Sequence, residues 1–239
     1  MQLTDRKISH HLAMQLCLAG LFFACGASAG SQVYVPLSAS VRAVMQRSVS
    51  DQAAPKLAFA TQYEANVWLK EMSRRLQKRI PDADSRFDFL RTVHYEATRA
   101  GLDPQLVLGL IEVESGFKKY AVSSAGARGY MQVMPFWVNE IGTTEHNLFH
   151  LRINLRYGCT ILRHYLDIEK GDLYRALGRY NGSLGRPEYP NLVRTAWHNN
   201  WALPSRTVSN ISLPASSLSG FPLISTTTRT CRADMIVIS

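Results

Sequence analysis

Residues 103–135 read DPQLVLGLIEVESGFKKYAVSSAGARGYMQVMP, and the rest of the chain is best understood outward from them. Asp103-Pro104 is a helix start: a capping side chain, then proline at the first helical position, where an amide proton has no helical partner. Gly116 marks the end. At 100° per residue, Val107, Leu110, Ile111 and Glu114 share a sector about a hundred degrees wide, and Glu112 points to the opposite side. Glu112 therefore reads as a solvated surface acid. Glu114 ends the core-facing stripe, where burial disfavours the charged form of a carboxyl. Such a site suits a proton donor near neutral pH; an acid capping a neighbouring helix, or paired with an arginine, would fit the same position. Past Gly116, residues 123–132 form a glycine-punctuated loop with short strand-like ends, and Pro135 opens a short helix.

Helical spacing continues on both sides. Upstream, Leu69, Met72, Leu76 and Ile80 predict a helix over 62–80, its other faces loaded with Arg74, Arg75, Lys78 and Arg79. A second helix is expected over 84–100. Downstream, Leu155, Gly158, Cys159, Leu162, Tyr165 and Leu166 mark a helix over 154–169. Asp172 caps the next, which Asn181-Gly182 ends, and a last helix is expected over 190–201. Residues 30–58 are weakly patterned and read as an extended or loosely helical lead-in. From about residue 203 the chain turns Ser/Thr-rich and loses periodicity, so 202–239 is expected to be a disordered tail.

The N-terminus combines Arg6 and Lys7, an apolar run over 12–25, and Gly26-Ala27-Ser28-Ala29. These are the three parts of a cleavable signal peptide, 1–29, and predict export to the periplasm. The alternatives are an uncleaved anchor or a lipoprotein acylated at Cys25, for which Phe22-Phe23-Ala24 is a poor lipobox. The chain of 239 residues carries 27 Lys+Arg against 18 Asp+Glu, a net charge of +9. Removing residues 1–29 takes Arg6, Lys7 and Asp5 and leaves 25 against 17, or +8. Export excludes a nucleic-acid role for this charge and leaves acidic polymers or an anionic envelope surface. Cys159 and Cys231 survive processing, with no metal-ligand spacing around them; a small buried hydrophobe is favoured for Cys159 over a bridge between the two.

Four blocks, in order, carry a resemblance. Glu114-Ser115-Gly116-Phe117 matches a helix-ending E-S followed by an aromatic. Ala125-Gly126-Ala127-Arg128-Gly129-Tyr130-Met131-Gln132 with Met134-Pro135 matches a G-A-R/S-G-L-M-Q-x-M-P hairpin. Asn154-Leu155, Gly158 and Leu162 match an N-I-x-x-G-x-x-Y-L helix, and Ala176 to Gly182 matches A-x-x-x-Y-N-x-G. Together, across residues 88–200, they resemble the catalytic core of the soluble lytic transglycosylase family. The lead-in, the basic helix and the tail lie outside that resemblance.

The resemblance implies a mainly α, α+β lysozyme-like fold: a helical domain with one small β-hairpin bordering a glycan-binding groove, placed at 85–201 after a lead-in and basic helix at 30–84. It implies cleavage of the β-1,4 bond from N-acetylmuramic acid to N-acetylglucosamine in peptidoglycan, with no cofactor and no metal. Glu114 is then the sole catalytic acid and base, and the muramyl C6 hydroxyl attacks the anomeric carbon to leave a 1,6-anhydro sugar. Ser115, Met131, Gln132, Tyr180 and Asn181 are the implied substrate-binding residues, Tyr180 beside the glutamate. Gln132 could make paired hydrogen bonds to an N-acetyl group, and the others have a plainer reading as well: a helix-end hydroxyl for Ser115, core for Met131, Tyr130 and Tyr180, backbone support for Asn181. Ordinary glycoside hydrolysis uses two carboxylates, so Glu140 or Glu145 serving as a second acid would make the chain a muramidase of lysozyme type. A scaffold of a secretion apparatus that binds glycan without turnover is the third reading. The expected partners are peptidoglycan strands and a cell-envelope assembly, with a monomeric chain that touches membrane only if uncleaved or lipidated.

Overall fold

The computed structural model describes residues 32–50 and 57–203. The expected leader and nearly all of the Ser/Thr-rich tail, Cys25 and Cys231 with them, lie outside these residues. Eight α-helices follow one another: α1 Ala39–Ser50, α2 Gln62–Leu76, α3 Ala83–Arg99, α4 Pro104–Ser115, α5 Phe136–Ile141, α6 Leu151–Ile168, α7 Leu173–Asn181 and α8 Glu188–Ala196. A five-residue π-turn, Trp197–Trp201, closes the series. Caps fix the starts of several helices. Thr61, Asp82, Asp103 and Asp172 each accept a backbone N–H of the following turn. The lead-in holds a full helix, α1, which buries only Met45 and Val49 and so presents almost no stripe to read from the sequence.

α4 is the hub. It packs on α8, the π-turn and α3, and Leu108, Leu110 and Ile111 are wholly buried within that shell. Gly109 makes the closest approach possible: a Cβ there would lie 2.7 Å from the Trp197 backbone nitrogen. α6 crosses behind, packed on α3, α7 and α1. Its Arg156, 1% exposed, reaches the fully buried Glu96 of α3 at 2.9 Å and the Val49 carbonyl of α1 at 3.4 Å. Arg99 and Arg152 complete the pairing of Glu96, so the buried carboxylate is compensated. Cys159 is a free, fully buried thiol, and burial raises its pKa far above the ordinary value.

The expected hairpin does not form. Among the described residues no strand is present, and residues 122–133 hold only two isolated antiparallel bridges, Val122 to Arg128 and Arg128 to Val133. Positive φ at Gly126 (88°), Gly129 (75°) and Gln132 (47°) turns the chain after each single pairing, so no ladder can extend. None of the described helices is long and apolar enough to cross a membrane.

Candidate active site

Glu114 is the penultimate residue of α4, 6% exposed, and Gly116 ends the helix just beyond it in the left-handed conformation (φ 57°). Its carboxyl faces two buried phenols. Tyr189, at the start of α8, donates its hydroxyl proton to Glu114 Oε1 across 2.5 Å. Burial, the Glu114 charge and this hydrogen bond raise the Tyr189 pKa well above its ordinary value. Tyr180 of α7, fully buried, is raised likewise by burial and then by the Glu114 charge, while the Gln32 amide pulls the other way. Both phenols stay protonated at any working pH. Tyr189 thus supplies the Glu114 carboxyl with a hydrogen-bond donor at the buried end of α4.

The loop after α4 is held against this carboxyl by side chains. Ser115 Oγ lies 2.8 Å from the Tyr130 carbonyl and 3.2 Å from that of Ile111, so backbone acceptors share its proton. Tyr180 donates to the Met131 carbonyl at 2.7 Å rather than to Glu114. Asn154, fully buried on α6, accepts from Met131 N at 2.8 Å and donates to the Arg128 and Leu148 carbonyls. Gln132, 2% exposed, commits its Nε2 to the Gly129 carbonyl at 2.8 Å and the Ala121 carbonyl at 3.2 Å. Met131 has no exposed surface and packs on Gly158 of α6, where a Cβ would meet its sulfur at 2.3 Å. Tyr130 is 9% exposed with its ring on Phe89, and Asn181 is buried at the end of α7. The structure thus brings Ser115, Met131, Gln132 and Tyr180 into one frame behind Glu114.

Acids downstream of Glu114 are engaged elsewhere or lie in solvent. Glu140 accepts from Tyr34 at 3.0 Å and pairs with Arg42 at 3.0 Å. Asp167 pairs with Arg163, Glu169 with Arg175 and Arg179, Asp172 caps α7, and Glu145 is exposed. Glu112 is not the solvated acid its helical phase predicts: only 20% of its side chain is exposed. The π-turn folds back over it, and it accepts from Trp201 Nε1 at 2.7 Å and Asn200 Nδ2 at 3.0 Å. Among the described residues no three His, Cys, Asp or Glu side chains form a group able to hold a metal ion. Sequence reasoning missed Tyr189, whose local signal is its helical spacing with Val193 and Ala196 on the buried face of α8, and Gln32, which lies in the lead-in.

Residues 91–191, which span Glu114, the loop and both phenols, match the model of the transglycosylase SLT domain. The segment is similar to that domain. A transglycosylase of Enterobacteria phage PRD1 is 30% identical over 122 residues, 51% of this chain and 42% of its own length. The membrane-bound lytic murein transglycosylase C of Actinobacillus pleuropneumoniae serotype 5b is 53% identical over 47 residues, 20% of this chain and 13% of its own length. The protein of that name from Haemophilus influenzae strain PittEE is 45% identical over 47 residues. The chain therefore spans less than half the length of the curated relatives it matches. No solved structure gives a significant match. The SLT segment begins within α3 and ends within α8, so α1, α2 and the π-turn lie outside it.

Proposed function

We propose that the chain is a peptidoglycan lytic transglycosylase in which Glu114 works alone as acid and base. The observation that carries this reading is the nearly buried Glu114 carboxyl, bonded to Tyr189 within an SLT segment. Glu114 in its acid form gives its proton to the glycosidic oxygen as the bond from that oxygen to the muramyl anomeric carbon breaks. The resulting carboxylate then accepts the proton of the muramyl C6 hydroxyl, whose oxygen closes on the anomeric carbon. The products are a 1,6-anhydromuramyl end and a free N-acetylglucosamine 4-hydroxyl, and Glu114 is again protonated. Support for a single carboxylate comes from the engagement of Glu140, Asp167, Glu169 and Asp172 with basic side chains or a helix N-terminus. The glycan strand is proposed to lie in a groove bordered by residues 121–133. Tyr189 and Tyr180, as neutral phenols, orient the carboxyl and the loop.

An exported, monomeric enzyme meeting peptidoglycan in the periplasm fits the leader at 1–29, and the relatives named as membrane-bound murein transglycosylases are consistent with an envelope setting. The test uses purified sacculi and mass spectrometry of the released fragments. The wild-type chain is expected to give anhydromuramyl ends, and Glu114→Gln to lose activity by roughly 10²–10⁴-fold with its fold retained. Reducing muramic ends would establish a muramidase instead. Tight binding of sacculi with no fragments released would establish a scaffold.

A further inference from the structure

Upstream of α1, residues 32–38 form no regular secondary structure; Tyr34 meets α5 at Glu140 and Phe136, and Gln32 turns inward. Gln32 is 4% exposed. Its Oε1 accepts from Trp137 Nε1 at 2.8 Å and lies 3.5 Å from Met134 N. The Gln32 side chain also opposes the rise in the Tyr180 pKa. Among the described residues, Nε2 has no acceptor at bonding geometry. A buried primary amide is costly unless its position is required, and this one bridges two pieces of the Glu114 frame. Met134 follows the loop that carries Met131 and Gln132, and Tyr180 donates to the Met131 carbonyl.

The same segment is pinned from outside. Tyr34 donates to Glu140 at 3.0 Å and sets its ring edge-on to Phe136 with centroids 5.5 Å apart. Arg42, on the first turns of α1, pairs with the second oxygen of Glu140 at 3.0 Å. Residues 32–42 therefore form a strap over α5, fixed at its surface by Glu140 and in the interior by Gln32. All of it lies outside the SLT segment at 91–191.

We propose that Gln32 is a positioning residue for the Glu114 site, acting through Tyr180 and the Met131–Met134 backbone. The strap supplies from outside the family domain a part of the frame that holds Glu114 in register. This proposal rests on the transglycosylase reading. Its test is steady-state kinetics on purified peptidoglycan with the full chain, with thermal midpoints measured in parallel. Gln32→Leu keeps the volume and removes the amide; kcat is expected to fall about tenfold with KM unchanged, one to two hydrogen bonds being lost. Should that variant not fold, Tyr34→Phe with Arg42→Ala loosens the strap from the surface and leaves the buried amide in place. It is expected to lower kcat about threefold, again without a change in KM. A lowered melting temperature with kcat unchanged in these variants would overturn the positioning role and leave a purely structural strap. An inactive wild-type chain would defeat the transglycosylase reading instead, so the two failures are distinguishable.

Discussion

At Glu114 the decisive question is what holds the carboxyl, and the answer comes from 75 residues away. Tyr189 donates to Oε1, and a hydrogen bond to a charged acceptor contributes about 1.5–3 kcal/mol. Tyr189→Phe removes that bond and keeps the ring. Its loss leaves the carboxyl free to turn, so the effect is expected on turnover rather than on substrate binding. The kcat is expected to fall about 10–100-fold, with KM changed little. An unchanged kcat would show that Tyr189 packs against Glu114 without orienting it. Tyr180→Phe should cost less, because the Tyr180 hydroxyl bonds the Met131 carbonyl rather than the carboxyl.

Among the elements, α2 and α3 are joined by a small aromatic cluster with a titratable member. His94 of α3 is buried, stacks on Phe59 with centroids 4.3 Å apart and meets Trp68 of α2 edge-on at 5.1 Å. Burial pushes its pKa down to about 4. The unfolded chain binds this proton near pH 6.5, the folded chain only near pH 4, so stability is full above pH 6.5 and falls as the pH drops between those values. Urea unfolding at pH 7 and pH 4.5 should show a loss of about 2–3 kcal/mol that His94→Phe abolishes, carboxylates with lowered pKa contributing equally to both proteins. An equal pH dependence in variant and wild type would contradict it. Helices of this kind were legible because their signals are local. Asp103-Pro104, Gly116 and the Val107–Leu110–Ile111–Glu114 stripe lie within fourteen residues, and the observed α4 matches them. What stayed hidden depends on distant partners. Gln32 and Tyr189 reach the site from opposite ends of the described chain; Gln32 belongs to no periodic stripe, and Tyr189 heads the buried stripe of α8 with Val193 and Ala196, which marks it as core and gives no sign of its partner. Glu112 has an outward helical phase, but the π-turn covers it. The hairpin expectation failed for a related reason: strand-like residues at 122 and 133 carry no sign that Gln132 would adopt positive φ and turn its amide onto the loop backbone.

For the molecule as a whole, the excess of positive charge acts through whichever cations are left free by the fold. The basic run of α2 and the turn after it divides into two sets. Arg74 and Arg75 share Glu71 at 2.8 and 2.7 Å, and Arg75 also donates to the Asn200 carbonyl at 2.8 Å. Arg79 pairs with Glu112 at 3.5 Å and lies over the Phe117 ring. Arg75 fastens α2 to the π-turn, Arg79 fastens the turn after α2 to the end of α4, and Arg74 pairs within α2, so much of the charge of all three is already answered. Lys70 and Lys78 are exposed and carry the field outward. Attraction to the carboxylates of peptidoglycan stems should therefore be weakened most by replacing the lysines. Lys70→Gln with Lys78→Gln is expected to lower retention on sacculi by up to about fivefold per lysine at low ionic strength, with the difference vanishing in high salt. Turnover of short soluble fragments should not change. Arg75→Gln should do the reverse, lowering the thermal midpoint through the lost tie to the π-turn and leaving retention nearly intact. Sedimentation of each variant with sacculi across a salt series, beside its melting curve, separates the two sets. Equal retention of the lysine variant and the wild type at low salt would mean that this charge only solvates the surface.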